Sequence, residues 1–175
     1  MMMNKPIAKF CLAASLAAFA AGASAQQAPN PLDAIPDKIP FDVPYGAPIS
    51  LERADAVLAA ALAESKKRDW KFVCAVHDSG ADLVSFKRMD GAQIGSIDIA
   101  LHKARAAVKF RRETKVFEGG VQAGFRYLMT LDDVIGSRGG IPLVEGGKII
   151  GGIGCSGGTG SQDEVAAKAG AALVK

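Results

Sequence analysis

Gly151-Gly152-Ile153-Gly154-Cys155-Ser156-Gly157-Gly158-Thr159-Gly160-Ser161-Gln162-Asp163-Glu164 is the stretch from which the fold is read. The apolar run leading into it, Lys148 to Ile153, has the length and composition of a buried strand. A glycine loop follows, and Ser161 with Glu164 three residues on has the letters of a capping box that starts a helix. Strand, glycine turn and helix N-terminus together make a natural cradle, because the first N–H groups of a helix have no partner within it. Gly152 to Gly157 also match G-x-G-x-x-G. The dinucleotide reading fails, because that fingerprint needs a further strand and an acid about 20 residues on. Only one helix follows here, to Lys175, and Asp163 and Glu164 already answer the positive end of that helix. Tight turns and close packing are the expected work of these glycines, with a small or planar ligand against bare backbone as the alternative.

Working outward, Gln162 to Val174 reads as the closing helix, packing Val165, Ala166, Ala169, Ala172 and Leu173. Before the glycine loop, Val134 to Ser137, Pro142 to Glu145 and Lys148 to Cys155 read as three short strands, separated by Arg138-Gly139-Gly140 and Gly146-Gly147 turns. Thr114 to Met129 is weakly helical and broken by glycines. Ser96 opens a helix to about Arg112 whose polar face is Asp98, His102, Arg105, Lys109 and Arg112. Its core stripe is Ile97, Ala100, Leu101, Ala104, Ala107 and Val108. Ile99, Ala106 and Phe110 widen the apolar arc, and Lys103 falls inside it, so the helix is expected to be covered on two sides. Earlier still, Phe72 to His77, an Asp78-Ser79-Gly80 turn and Leu83 to Arg88 form a hairpin. Phe72, Cys74 and Val76 share one face of its first strand, and Val73, Ala75 and His77 the other. Ser50 caps a helix through about Arg68. The expected domain, 50–175, is α/β, with one antiparallel sheet flanked by helices.

Two segments precede it. Residues 26–49 form an arm with prolines at 29, 31, 36, 40, 44 and 48, extended because proline fixes φ and removes a donor. Its Leu32, Ile35, Ile39, Phe41, Val43 and Tyr45 are too apolar for a free linker, so it is expected along the domain or a neighbouring subunit. Residues 1–25 read as a signal peptide: Lys5 and Lys9, an apolar Phe10 to Ala23, and an Ala23-Ser24-Ala25 cleavage site. The apolar run is shorter than the roughly 20 residues of a membrane helix. Cleavage after Ala25 would deliver the chain to the periplasm or the extracellular space, with no integral membrane segment left.

The formal charge of +3 falls to about +1 once Lys5 and Lys9 are removed. That is no footprint for nucleic acid. Lys109, Arg111, Arg112 and Lys115 read as a solvated helix end. Two cysteines remain after cleavage, Cys74 and Cys155. An oxidising compartment permits a disulfide between them, yet each lies in an apolar run where a free thiol serves as a small buried hydrophobe, the reading the pattern favours. Two cysteines and two histidines in unrelated segments give no metal-ligand spacing, and the absence of C-x-x-C-H excludes covalent haem.

Few groups carry candidate chemistry. Lys103, a cation in an apolar arc, needs a partner, either Asp78 or Asp90 in an ion pair or a ligand carboxylate. His102 stands one turn after Asp98 on a polar face, a surface histidine unless another subunit covers it. His77 ends a strand beside a turn. Met89 is read as core. No nucleophile–histidine–acid arrangement can be composed from two histidines.

Pro44-Tyr45-Gly46-Ala47-Pro48-Ile49, Arg88-Met89-Asp90-Gly91-Ala92, Lys103-Ala104, Gly139-Gly140-Ile141-Pro142-Leu143 and the glycine loop, in that order, resemble the GlcG/HbpS family, to which the C-terminal domain of PduO is related. The resemblance spans about Pro44 to Val174. It implies a profilin-like fold with a single five-stranded antiparallel sheet, homo-oligomers and, for some members, non-covalent binding of haem b linked to redox sensing or haem breakdown. Asp82 stands where the hairpin often carries a histidine, and His77 and Cys155 replace usual apolar residues. On this reading the chain is an exported haem- or tetrapyrrole-binding protein, with His102 or His77 as axial group and Lys103 or Arg88 facing the propionates. A binder or enzyme for a small hydroxy- or keto-acid is the alternative. Asp90, Gly154, Ser156 and Gly157 would then converge with Arg88 and Lys103 on one pocket. A purely structural or sensory partner is the third possibility.

Overall fold

The computed structural model describes residues 34–175; the expected signal peptide and the arm as far as residue 33 lie outside the described residues. Four α-helices and four strands follow in the order α1 (Leu51–Lys67), β1 (Val73–Asp78), β2 (Leu83–Arg88), α2 (Ser96–Lys109), α3 (Lys115–Gln122), β3 (Gly140–Glu145), β4 (Lys148–Ser156) and α4 (Gly160–Ala171). A short 3-10 helix, Arg126–Thr130, lies between α3 and β3. The sheet order is β2-β1-β4-β3, antiparallel throughout. The two central strands pair from Val73–Ser156 to Asp78–Gly151.

Alternation along the strands gives the sheet two different faces. One carries Cys74, Val76, Ile153 and Cys155, which join Ala54, Val57, Leu58 and Ala61 of α1 and Ala166 and Ala167 of α4 in the main core. The other carries Gly140, Gly152 and Gly154 beside Val73, Ala75 and His77, and α2 lies on it. A Cβ on Gly152 would come within 2.9 Å of the Ala104 carbonyl oxygen, and one on Gly154 would run into the Ala100 oxygen and Ala104 nitrogen. One on Gly140 would strike the Lys103 carbonyl. The helix backbone thus rests directly on the sheet, which only glycine permits.

Several boundaries follow the sequence signals and others move. Ser50 caps α1 and Arg68 ends it. The last helix starts earlier than Ser161 and Glu164 suggest: Thr159 is the N-cap and Gln162 completes the capping box. Two overlapping boxes are present, and Thr159, in extended backbone at φ −73° and ψ 156°, supplies the one that forms. The strand expected at Val134 to Ser137 does not form, so the sheet has four strands and not five. Asp133 and Gly139, at φ 64° and 112°, turn the chain at either side of that segment. From Phe41 onward the arm runs along the domain, one of the two courses expected for it. Its Pro44 accepts from Ile149 N at 2.8 Å, Gly46 N donates to Ile149 O at 2.7 Å, and Tyr45 Oη donates to the carbonyls of Val108 and Lys109. Arg111 pairs with Asp42, and Arg112 lies 3.8 Å from the centre of the Phe41 ring.

The free-thiol reading of the cysteines is also corrected. Cys74 and Cys155 are directly opposed in the β1–β4 register, 4.2 Å apart at Cα, and are joined as a disulfide. Both are completely buried, so the apolar setting was read correctly while the bond was not.

Candidate functional site

The glycine loop is packed shut. Gly154 lies under α2, and a Cβ on Gly157 would strike Phe72 and lie 2.5 Å from the Lys71 carbonyl oxygen. Ser156, 3% exposed, donates through Oγ to Ser96 Oγ at 3.1 Å. The helix start that was to serve as a cradle binds its own chain. Gly158 N donates to Asp163 Oδ1 at 3.2 Å, and Gln162 N to Thr159 Oγ1. Gly154, Ser156 and Gly157 are therefore taken up by packing against α2, Ser96 and Phe72.

Lys103 is fully buried, as its place in the apolar arc demands. Its partner is Asp163, at 2.6 Å, rather than Asp78 or Asp90, and its Nζ also donates to the Cys155 carbonyl. Burial lowers the lysine pKa and raises that of the aspartate, each opposed by the attraction of the other. The pair ties α2 to the start of α4 and leaves Lys103 no free face for a ligand. Asp78 instead accepts from Gly80 N and Asp82 N within its own turn. Arg88 and Asp90 are exposed at the end of β2 and in the following turn. Val73 pairs with both Arg88 and Ser156, so β1 stands between those two residues.

His77 is fully buried, and neither ring nitrogen has a hydrogen-bond partner. Burial, then the charge of Arg105, pushes its pKa down to about 4. It is neutral at physiological pH and closed to an incoming ligand.

His102 has a different setting. It projects from the outer side of α2 into a cleft of about 340 Å³, lined by Asp98, Leu101, His102, Arg105 and Asp133. Its Nε2 is buried there without a partner. Asp133 reaches over from the loop before β3, accepts from Lys109 Nζ, and lies 3.9 Å from Arg105. The lysine hydrogen bond holds the Asp133 carboxyl below the usual range, with further lowering from Arg105 and His102. The second cover expected for α2 is thus supplied in part by this loop.

Sequence reasoning placed Arg105 on the polar helix face without giving it a role and did not consider Asp133. Arg105 and Lys109 four residues apart were a visible signal. Asp133, 24 residues beyond Lys109, had none. Among the described residues there is no group of three or more metal-ligating side chains, and no helix is long and apolar enough to cross a membrane.

Comparison with known proteins adds to this geometry. A family model described as haem degrading protein HbpS-like matches residues 49–172. Protein GlcG of Escherichia coli (strain K12) is 40% identical over 108 residues, covering 62% of this chain and 81% of that protein. The structure of Streptomyces reticuli HbpS, solved as a double mutant, is similar at a TM-score of 0.70 and 28% identity, covering 81% of this chain and 97% of the other. The structure of a PduOC:heme complex is similar at 0.67 and 26%, covering 74% and 96%.

Proposed function

Since the chain belongs to the HbpS-like family, we propose that it binds haem or a related tetrapyrrole without a covalent link, in the cleft on the outer side of α2. The observation that carries this reading is His102, which lines this cleft and whose buried Nε2 has no hydrogen-bond partner. A buried imidazole nitrogen with no hydrogen bond is an incomplete group, and imidazole is a common axial ligand for haem iron. The structural likeness to a domain solved with haem supports the choice of ligand. His102 would take the iron and Leu101 the macrocycle edge, while His77 stays neutral inside the domain. Bound haem would supply redox or oxygen chemistry, of the kind used in sensing or in haem breakdown.

We place the mature protein in the periplasm or outside the cell, as the leader at residues 1–25 and the core disulfide both favour an oxidising compartment. A homo-oligomer fits the same reading, because one subunit offers only Leu101 as apolar lining for a large ring.

Titration of the mature protein with hemin tests the proposal. A shifted Soret band that His102→Ala abolishes and His77→Ala leaves in place is expected; no shift with the unaltered protein would end the haem reading. The cleft volume favours a second reading. About 340 Å³ with a mostly polar lining holds a small hydroxy- or keto-acid whole. A raised melting temperature with millimolar acid would support it, and a flat response would count against it.

A further inference from the structure

We propose that Arg105 and Lys109 form a carboxylate-recognising subsite at the rim of this cleft, and that Asp133 is the chain's own carboxylate standing in it. Residues four apart on a helix lie on the same side, and the Arg105 and Lys109 side chains are 47% and 46% exposed. Asp133 spans them with both oxygens. Oδ2 accepts from Lys109 Nζ, and Oδ1 lies 3.9 Å from Arg105 Nη1. A ligand carboxylate would use the same two cations in the same way.

Two features mark Asp133 as displaceable. It belongs to the loop between the 3-10 helix and β3, not to the sheet or a packed helix, and its φ of 64° holds it in the left-handed region. Its contact with Arg105 is also incomplete, since 3.9 Å is an ion pair without a hydrogen bond. The planar guanidinium is built for two-point carboxylate recognition that Asp133 does not provide. His102 and Leu101 stand beside the subsite in the same cleft. The ligand class is therefore an organic anion whose carboxylate sits at Arg105 and Lys109 and whose remaining part meets His102 and Leu101.

A propionate-bearing tetrapyrrole and a small keto-acid share this chemistry. For the first the inference rests on the haem reading; for the second it stands without it. The test compares hemin, hemin dimethyl ester and pyruvate on the mature protein, Asp133→Asn, and Arg105→Gln combined with Lys109→Gln. Asparagine keeps the side-chain shape and tolerates the left-handed backbone. Asp133→Asn is expected to bind the carboxylate-bearing ligand several-fold more tightly, and the double glutamine variant roughly tenfold more weakly. The dimethyl ester, without free carboxylates, should respond to neither. Absence of a Soret shift with the unaltered protein defeats the haem reading alone, and pyruvate then decides the subsite. The inference is overturned if Asp133→Asn weakens or leaves unchanged the binding of both hemin and pyruvate. Equal loss of ester and free-acid binding in the glutamine variant would also overturn it.

Discussion

His77 shows how a single side chain can carry a consequence invisible in its own segment. Its position on the face of Val73 and Ala75 follows from alternation, but its complete burial comes from α2 lying across the sheet. Arg105 on α2 disfavours its protonation, and Asp78 and Asp82 in the adjoining turn favour it less strongly than burial opposes it. In the unfolded chain the imidazole takes a proton near the usual 6.5, whereas in the fold it does so at about 4. Between those values the unfolded state binds more protons, so stability falls as pH drops through the window, by up to about 3 kcal/mol. Denaturant unfolding of the protein and of His77→Leu from pH 7 to pH 4 checks this. The stability difference should shift toward the variant as pH falls, and a constant difference would remove His77 from the account. Lys103 teaches a related lesson. The helical wheel correctly put it in the apolar arc, but its partner, Asp163, lies 60 residues away and could not be read from neighbouring sequence.

At the scale of elements, the limits of local reading appear at helix starts and close approaches. Ser50 lay alone before its apolar stripe, and α1 begins where that signal places it. The last helix had two candidate boxes, Thr159 with Gln162 and Ser161 with Glu164, and local letters do not rank them. The earlier start leaves Glu164 free to accept from Lys168 at 2.5 Å and to pair with Lys115 and Arg138 at 3.5 Å each. Thr159→Ala is accordingly expected to lower stability by about 1 kcal/mol, and Ser161→Ala by much less. Equal losses in thermal or denaturant unfolding would contradict the assigned cap. The β4–α2 contact offers a stronger test. Gly154→Ala places a methyl against the Ala100 and Ala104 backbone, which cannot rotate away as a side chain could. A loss of at least about 3 kcal/mol is expected, at the upper end of overpacking effects. If the variant melts within a degree or two of the parent, the helix does not sit on the sheet as described.

For the whole molecule, the central question is what joins the segments into one sheet. The β1–β4 pairing brings together residues some 80 apart, and the disulfide between Cys74 and Cys155 closes an 81-residue separation across it. Restricting so long a loop in the unfolded chain is expected to contribute about 2–4 kcal/mol. Cys74→Ala with Cys155→Ala should lower the melting temperature accordingly, and thiol titration of the denatured, unreduced mature protein should find no free cysteine. Two free thiols would contradict the bond. The sequence by itself determined the α/β class, the hairpin, the helix positions and the use of glycine for close packing, because hydrophobic period, caps and turns act within a few residues. Tertiary structure alone decided the four-stranded sheet, the disulfide, the Lys103–Asp163 pair and the cleft joining His102 and Arg105 to Asp133. Each depends on contacts between segments distant in the chain, which local period, caps and turns do not encode.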